Sequence, residues 1–254
     1  MLLYFLVLSY LALILFGVFL SDKLMFQPHP SSYKDSADIV KLRAADGKSI
    51  SAIYLPNPTA KLTILYSHGN AEDIGDLRPW LEQLQAAGFS ILAYDYHGFG
   101  TSEGIPSERA VYLDADAAYD HLTNTLHVPA QHIISYGRSV GNGASVDLAS
   151  RKPVGGLIVQ SGFTSAFVVL TKVPLVPFDK FRNASKISRV NCPVLVIHGR
   201  NDNVIPFGNG ERLFAAASEP KSSYWVANAG HNDLEFTAGE ALLDRIKAFA
   251  QQLP

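Results

Sequence analysis

Cysteine is all but missing: Cys192 stands alone in a chain of 254 residues. No internal disulfide can form, so stability must come from a core that a chain of this length is able to bury. The position of Cys192 before Pro193, at the start of an apolar run, suits packing rather than nucleophilic chemistry. Charge is sparse too, with charged residues at 17%, a formal net charge of -2 and both signs interspersed. There is no basic stripe for phosphates and no acidic tail, and nucleic acid is not an expected partner. The 8 histidines are scattered, without H-E-x-x-H or a His/Asp cluster at ligand spacing, so no metal is implied. Gly98 and Gly100 lack the correctly placed third glycine of G-x-G-x-x-G, and no acidic residue closes a following strand to bind a ribose. No nucleotide or other cofactor is expected.

Charge is missing altogether from Leu2 to Leu20, where Ser9 is the one aliphatic hydroxyl. As a helix this stretch is long enough to cross a hydrocarbon core, and Asp22 and Lys23 close it. A cleavable signal peptide is the rival reading. It would need a basic n-region, an apolar run of about 7 to 15 residues and an A-x-A-like cleavage site, none of which is clear. Residues 1–22 are therefore read as a single-pass transmembrane anchor, or uncleaved signal, and 23–34, with Pro28 and Pro30, as a linker. Lys23 and Lys34 weigh only weakly toward a cytoplasmic location for the domain that follows, and the side of the membrane stays open.

From residue 35 to 254 the pattern is that of one domain in which strand and helix alternate. Asp38–Ala44 and Ser49–Leu55, joined through Asp46-Gly47, read as an antiparallel hairpin. Leu62–Ser67 and Ser90–Tyr94 read as buried strands, each followed by apolar residues at helical spacing: Leu77, Leu81, Leu84 and Ala87, then Val111, Ala115, Ala118 and Leu122. Further strands fall at His132–Tyr136, Val154–Val159, Cys192–Ile197 and Tyr224–Val226. The fold class expected is α/β, a mostly parallel sheet with helices on both faces. Between Phe163 and Ile187 the alternation breaks. This segment holds Phe167, Val168, Val169, Leu170, Val173, Leu175, Val176 and Phe178, broken by Thr171, Lys172, Pro174 and Pro177. It reads either as core packing or as a short cap lining an acyl pocket.

Gly137-Arg138-Ser139-Val140-Gly141 lies between a strand and a small-residue helix, the setting of a nucleophile elbow. Five residues alone are a weak signal, since a serine there can simply cap the helix. The rest of the chain adds to it. Asp202 sits in the loop after one later strand and His231 in the loop after the last, with Asn232 and Glu235 spaced as an N-cap and its return partner. The carboxyl ends of parallel strands share one edge, so Ser139, Asp202 and His231 can meet there. A serine hydroxyl is a poor nucleophile until a base removes its proton, which assigns His231 as base and Asp202 as its orienting acid. The oxyanion donors expected are Asn70, with Ala71 second, from the His68-Gly69-Asn70-Ala71 turn, and Val140 after the serine. His68 and Asp95 are read as ordering their loops.

Ser67 to Ala71, Tyr94-Asp95-Tyr96 with Gly98 and Gly100, Gly137 to Gly141, His198-Gly199 with Asp202, and Gly230 to Asp233 together resemble the α/β-hydrolase superfamily. The likeness is to its small single-domain serine hydrolases, among them eukaryotic depalmitoylases and their membrane-anchored relatives, and covers about residues 35–254. It implies a triad of Ser139, Asp202 and His231. The depalmitoylases carry a cysteine-rich N-terminus, where this chain has an apolar stretch. The expected function is a membrane-anchored serine hydrolase acting on a carboxylic ester or thioester of a small-molecule or lipid-like acyl substrate. A serine peptidase or aminopeptidase, or a noncatalytic binding scaffold of the same fold, are the alternatives.

Overall fold

The computed structural model describes residues 1–173 and 175–253, the side chains of Leu2 and Leu170 excepted. Strands β1 (Ile39–Arg43), β2 (Ser49–Leu55), β3 (Thr63–Ser67), β4 (Ser90–Tyr94), β5 (Ile133–Arg138), β6 (Gly156–Gln160), β7 (Val194–Gly199) and β8 (Lys221–Val226) form one sheet in the order β1-β2-β4-β3-β5-β6-β7-β8. The β1/β2 and β2/β4 pairings are antiparallel and the other five parallel. The helices are α1 (Leu2–Phe19), α2 (Ser21–Met25), α3 (Arg78–Ala86), α4 (Glu108–Asp120), α5 (Asn142–Arg151), α6 (Ala166–Thr171), α7 (Asn183–Ile187), α8 (Gly208–Ala216), α9 (Leu234–Ala238) and α10 (Glu240–Ala250).

Strand periodicity explains why both faces are covered. On β3, Ile64 and Tyr66 point to one face and join Leu81 and Leu84 of α3 and Ile246 and Phe249 of α10. Leu65 points to the other, with Val111 and Ala115 of α4 and Leu148 of α5. Alternate residues thus build two cores from a strand with no exposed position. Cys192 packs beside a third cluster, where burial pushes its thiol up to about 12.

At the N-terminus the structure departs from the sequence reading. The 18 residues of α1 measure roughly 27 Å at about 1.5 Å per residue, against a hydrocarbon core of about 30 Å. Among the described residues no helix is long and apolar enough to cross a membrane, so the expected single-pass span is not assigned. Residues 23–34 also do more than link. Phe26 is buried and packs edge-on against Phe99 and Phe181. The Ser32 backbone N–H donates to Asp73 at 2.8 Å, and the Tyr33 hydroxyl to Asp95 at 2.5 Å. His29 joins Asp73 and Asp76 in a group whose ligand-type atoms lie within 4.8 Å of one another, a proximity that scattered sequence positions concealed. Asp73 there accepts from Ser32, Gly75 and Asp76 and so orders the loop.

The segment 163–187 divides its apolar residues between two uses. Phe163, Phe181 and Ile187 are core, while Val173 and Leu175 are exposed. The Leu170 side chain and Pro174 lie outside the described residues.

Candidate active site

Strand β5 runs straight into Ser139, whose φ of 52° is in the left-handed region that a residue with a Cβ adopts only under strain. The flanking glycines make that turn possible. A Cβ on Gly137 would lie 2.2 Å from Ser145 Oγ, and one on Gly141 2.1 Å from the Ser67 carbonyl oxygen. Any side chain at either site would drive α5 off the sheet. Asp202 follows β7 and His231 follows β8, so the order β5-β6-β7-β8 delivers all three residues to one edge.

The hydroxyl of Ser139 lies 2.9 Å from His231 Nε2, and His231 Nδ1 lies 2.7 Å from Asp202 Oδ2. A carboxylate on Nδ1 fixes the proton there, leaving Nε2 to accept from the serine. The other Asp202 oxygen accepts backbone N–H groups of Val204 and Ile205 at 2.9 and 2.7 Å. Burial works to raise the Asp202 pKa, but hydrogen bonding to His198 and His231, the charge of His231 and the backbone donors outweigh it, and the carboxyl is held well below its usual range. His198, part of the family-like motif but given no role in the sequence reading, lies 3.4 Å from Asp202 and is held by the Ile205 carbonyl at 2.9 Å. Two other aspartates at strand ends or in the His231 loop, Asp95 and Asp233, are engaged elsewhere. Asp95 accepts from Tyr33 and the Ile74 backbone N–H and faces His68 at 3.4 Å, and Asp233 accepts from the Gly230 backbone.

Asn70 and Val140 both border the cavity in front of Ser139. Val140 belongs to a 3-10 turn, Ser139–Gly141, where the first N–H groups have no acceptor within the turn. The Asn70 side chain is engaged elsewhere. Its Nδ2 donates to the Met25 carbonyl at 2.9 Å, and its Oδ1 accepts from the Gln27 N–H at 3.0 Å. One Nδ2 hydrogen and the Oδ1 are so engaged, and the backbone N–H is a further donor at the cavity.

The expected cap of the last helices is not formed. The N-cap of α9 is Asp233, without a side-chain cap bond. Glu235 is drawn away by Arg138, whose Nε donates to it at 2.9 Å while Nη1 donates to Glu72, also at 2.9 Å. Glu235 also accepts from Gln160 at 2.6 Å, and Glu72 accepts the Gly69 backbone N–H. Desolvation opposes the Arg138 charge, yet the two carboxylates more than offset it and keep its pKa above the ordinary value. This partly buried network joins the 69–72 loop, the elbow and α9. Arg138 fills the unspecified second place of G-x-S-x-G, and the one available signal was a charge following a strand with no other.

The cavity has a volume of about 350 Å³. Its walls come from Leu13, Phe16 and Leu24 at the N-terminus and from Phe163, Phe167 and Val176 of the 163–187 segment. Among the described residues no charged side chain lines it.

Comparison with known proteins follows the same lines. Residues 58–174 match the family model described as serine aminopeptidase, S33. The alpha/beta hydrolase domain-containing protein 17B of Xenopus tropicalis is 39% identical over 238 residues, 92% of this chain and 81% of that one. The human protein of the same name is 37% identical over the same shares. Among solved structures, a Pyrococcus furiosus esterase superposes with a TM-score of 0.75 at 16% identity, covering 90% of this chain and 98% of its own. Est1E of Butyrivibrio proteoclasticus, with ferulic acid bound, gives 0.68 at 18% identity over 82% and 98%. At those identities the solved structures share the fold, and the sequence relatives carry the assignment: the chain belongs to the α/β-hydrolase family.

Proposed function

We propose that this protein is a serine hydrolase that cleaves a carboxylic ester or thioester through an acyl-enzyme and attaches to a lipid surface through α1. The observation that carries it is the hydrogen-bonded series Ser139, His231, Asp202 opening into an apolar cavity. Ser139 Oγ attacks the acyl carbon as His231 Nε2 takes its proton, and the tetrahedral oxyanion is met by the backbone N–H groups of Asn70 and Val140. His231 then returns the proton to the departing alcohol or thiol. Water, deprotonated by the same nitrogen, attacks the acyl-enzyme and releases the acid and free Ser139.

A serine aminopeptidase is the second reading, favoured by the matched family model. It needs a partner for a charged α-amine, and the uncharged lining supports the ester or thioester instead. A noncatalytic scaffold would have no use for a strained Ser139 within reach of His231. Attachment through α1 draws on its uncharged sequence and on outward side chains such as Leu3, Phe5 and Phe19, all more than half exposed. Helices apolar on every face are found buried in protein or in lipid.

The test is fluorophosphonate labelling of the full chain, followed by turnover on matched acyl esters, acyl thioesters and aminoacyl amides. Labelling with turnover of esters or thioesters above amides is expected. Amides preferred would establish the peptidase reading, and a folded protein that takes no label would leave only the scaffold.

A further inference from the structure

Most apolar anchors hold a domain near a membrane at the end of a free linker. Here the helix is built into the site. Leu13 and Phe16 of α1, with Leu24 and Met25 beyond it, border the same cavity as Ser139. Gly17 is the seam. A Cβ there would lie 3.1 Å from the Phe178 ring and 3.5 Å from that of Phe167, so α1 sits flush on the cap segment and a large side chain at this position would part them. Three further contacts hold the junction: Lys180 pairs with Asp22 at 2.7 Å, Phe26 is buried against Phe99 and Phe181, and the Asn70 amide holds both Met25 and Gln27. The residue expected to stabilise the oxyanion with its backbone is thus the one whose side chain ties down the root of the apolar helix.

Much of the remainder of α1 is open to its surroundings among the described residues. Tyr4, Leu6, Leu11 and Leu15 are each about half exposed or more, on a helix without a charge. The rim of the cavity continues that surface through Leu24 (62% exposed), Leu175 (48%) and Val204 (52%). A lipid leaflet is the occupant that fits an uncharged helix whose root, marked by Asp22 and Lys23, stands beside an uncharged cavity. Because the root of α1 is fixed at the mouth, whatever leaflet receives α1 also meets the mouth.

We propose, resting on the hydrolase reading above, that the last turns of α1 form one wall and the doorway of the acyl pocket, so that the substrate is a long-chain acyl ester drawn from the bilayer directly into the cavity. The chain exchanges lipid for Leu13, Phe16, Phe167 and Val176 without crossing water. The scissile carbonyl then reaches Ser139 while the polar part of the molecule stays outside.

The experiment uses full-length protein on phosphatidylcholine vesicles, with a hexadecanoyl fluorogenic ester in the vesicles and the acetyl ester of the same fluorophore in water. Two variants are compared with the parent, the double substitution Leu13→Ala with Phe16→Ala and the single substitution Gly17→Leu. The hexadecanoyl-to-acetyl ratio of kcat/KM should fall about tenfold in both, with each still floating with the vesicles. An unchanged ratio in both floating variants makes α1 a tether only and overturns the proposal. Failure of the parent to float, with light scattering at twice the chain mass, overturns it in favour of a second copy covering α1. Loss of Ser139-dependent hydrolysis of both esters in the parent is a different result, which removes the hydrolase reading and this proposal with it.

Discussion

The cavity has two unlike sides. On the elbow side the polar groups are fixed by directional bonds: His231 by Asp202, Asp202 by two backbone N–H groups, and Arg138 by Glu72 and Glu235. On the α1 side the contacts are apolar and partly exposed, and a glycine seam, a single ion pair and the Asn70 amide hold them. Directional bonds restrict atoms to fractions of an ångström, which proton transfer requires. Apolar surface is indifferent to register, which suits chains of varied length. Damage to the elbow side should therefore slow every substrate alike. Damage to the α1 side should alter which chain length is preferred.

The comparison is broken most severely at Ser139. Ser139→Ala should abolish fluorophosphonate labelling and ester turnover at all chain lengths while circular dichroism stays that of the parent. Undiminished labelling of the folded variant would place the nucleophile elsewhere. Next is Asp202→Asn, expected to lower kcat by about 10⁴ on the serine-protease precedent, because the amide favours the wrong His231 tautomer. A larger loss in Asp95→Asn would reverse that assignment.

Asp202 also sharpens the comparison through pH. Its folded pKa is depressed, so its contribution to stability is fully present above the unfolded value, near 3.9 for an aspartate, and is lost as pH falls through the lower folded value. Between pH 4 and 8 the kcat/KM profile should show no inflection from this carboxyl. An acid-limb inflection in that range that disappears in Asp202→Asn would show that Asp202 titrates there.

Arg138 is the third break. Replacing it with Met leaves the partly buried Glu72 and Glu235 without a cation, at a cost of up to about 3 kcal/mol of stability, the lower end of the range for breaking a buried pair. A urea melt should register that loss. The surviving folded fraction should show lower kcat with an unchanged ratio of long-chain to acetyl turnover. Adding Glu235→Gln should recover part of the stability, since one orphaned charge is then removed. A changed chain-length ratio would mean that the two sides of the cavity are not separable.

Residues differ in how far their neighbours in sequence announce them. The strands, the hairpin and the elbow are local: Ile64, Leu65 and Tyr66 alternate faces, and the two glycines of the elbow answer contacts made within the same strand, turn and helix or with the adjacent strand. The meeting of Ser139, Asp202 and His231 was legible because parallel strands place their ends on one edge. Glu235 misled because its spacing from Asn232 imitates a local cap, while Arg138, 97 positions away in sequence, offers a charge in a buried place and draws it off. The junction at the end of α1 escaped the sequence for a different reason. Hydropathy counts apolar residues but does not register that Ser21 bonds back to the Gly17 carbonyl at 2.6 Å and that a second short helix starts there. Asn70 was selected for its turn, and its side-chain bonds to residues 25 and 27 leave no trace in the local sequence.

The smallest expected effect lies at Asn70, where the two sides touch. Asn70→Ala keeps the backbone N–H assigned to the oxyanion and removes the amide that holds Met25 and Gln27. Two hydrogen bonds at about 0.5–1.5 kcal/mol each set the scale of the stability loss. The same bonds fix the root of α1, so the preference for long chains should weaken by a few fold. Turnover of an acetyl ester should fall by less than about fivefold, far short of the 10²–10³ that removal of an oxyanion donor typically costs. A loss of that larger size in a variant with near-parent stability would put the amide side chain itself at the oxyanion. The polar side of the cavity would then extend to the root of α1, and the division between chemistry and chain length would have to be redrawn there.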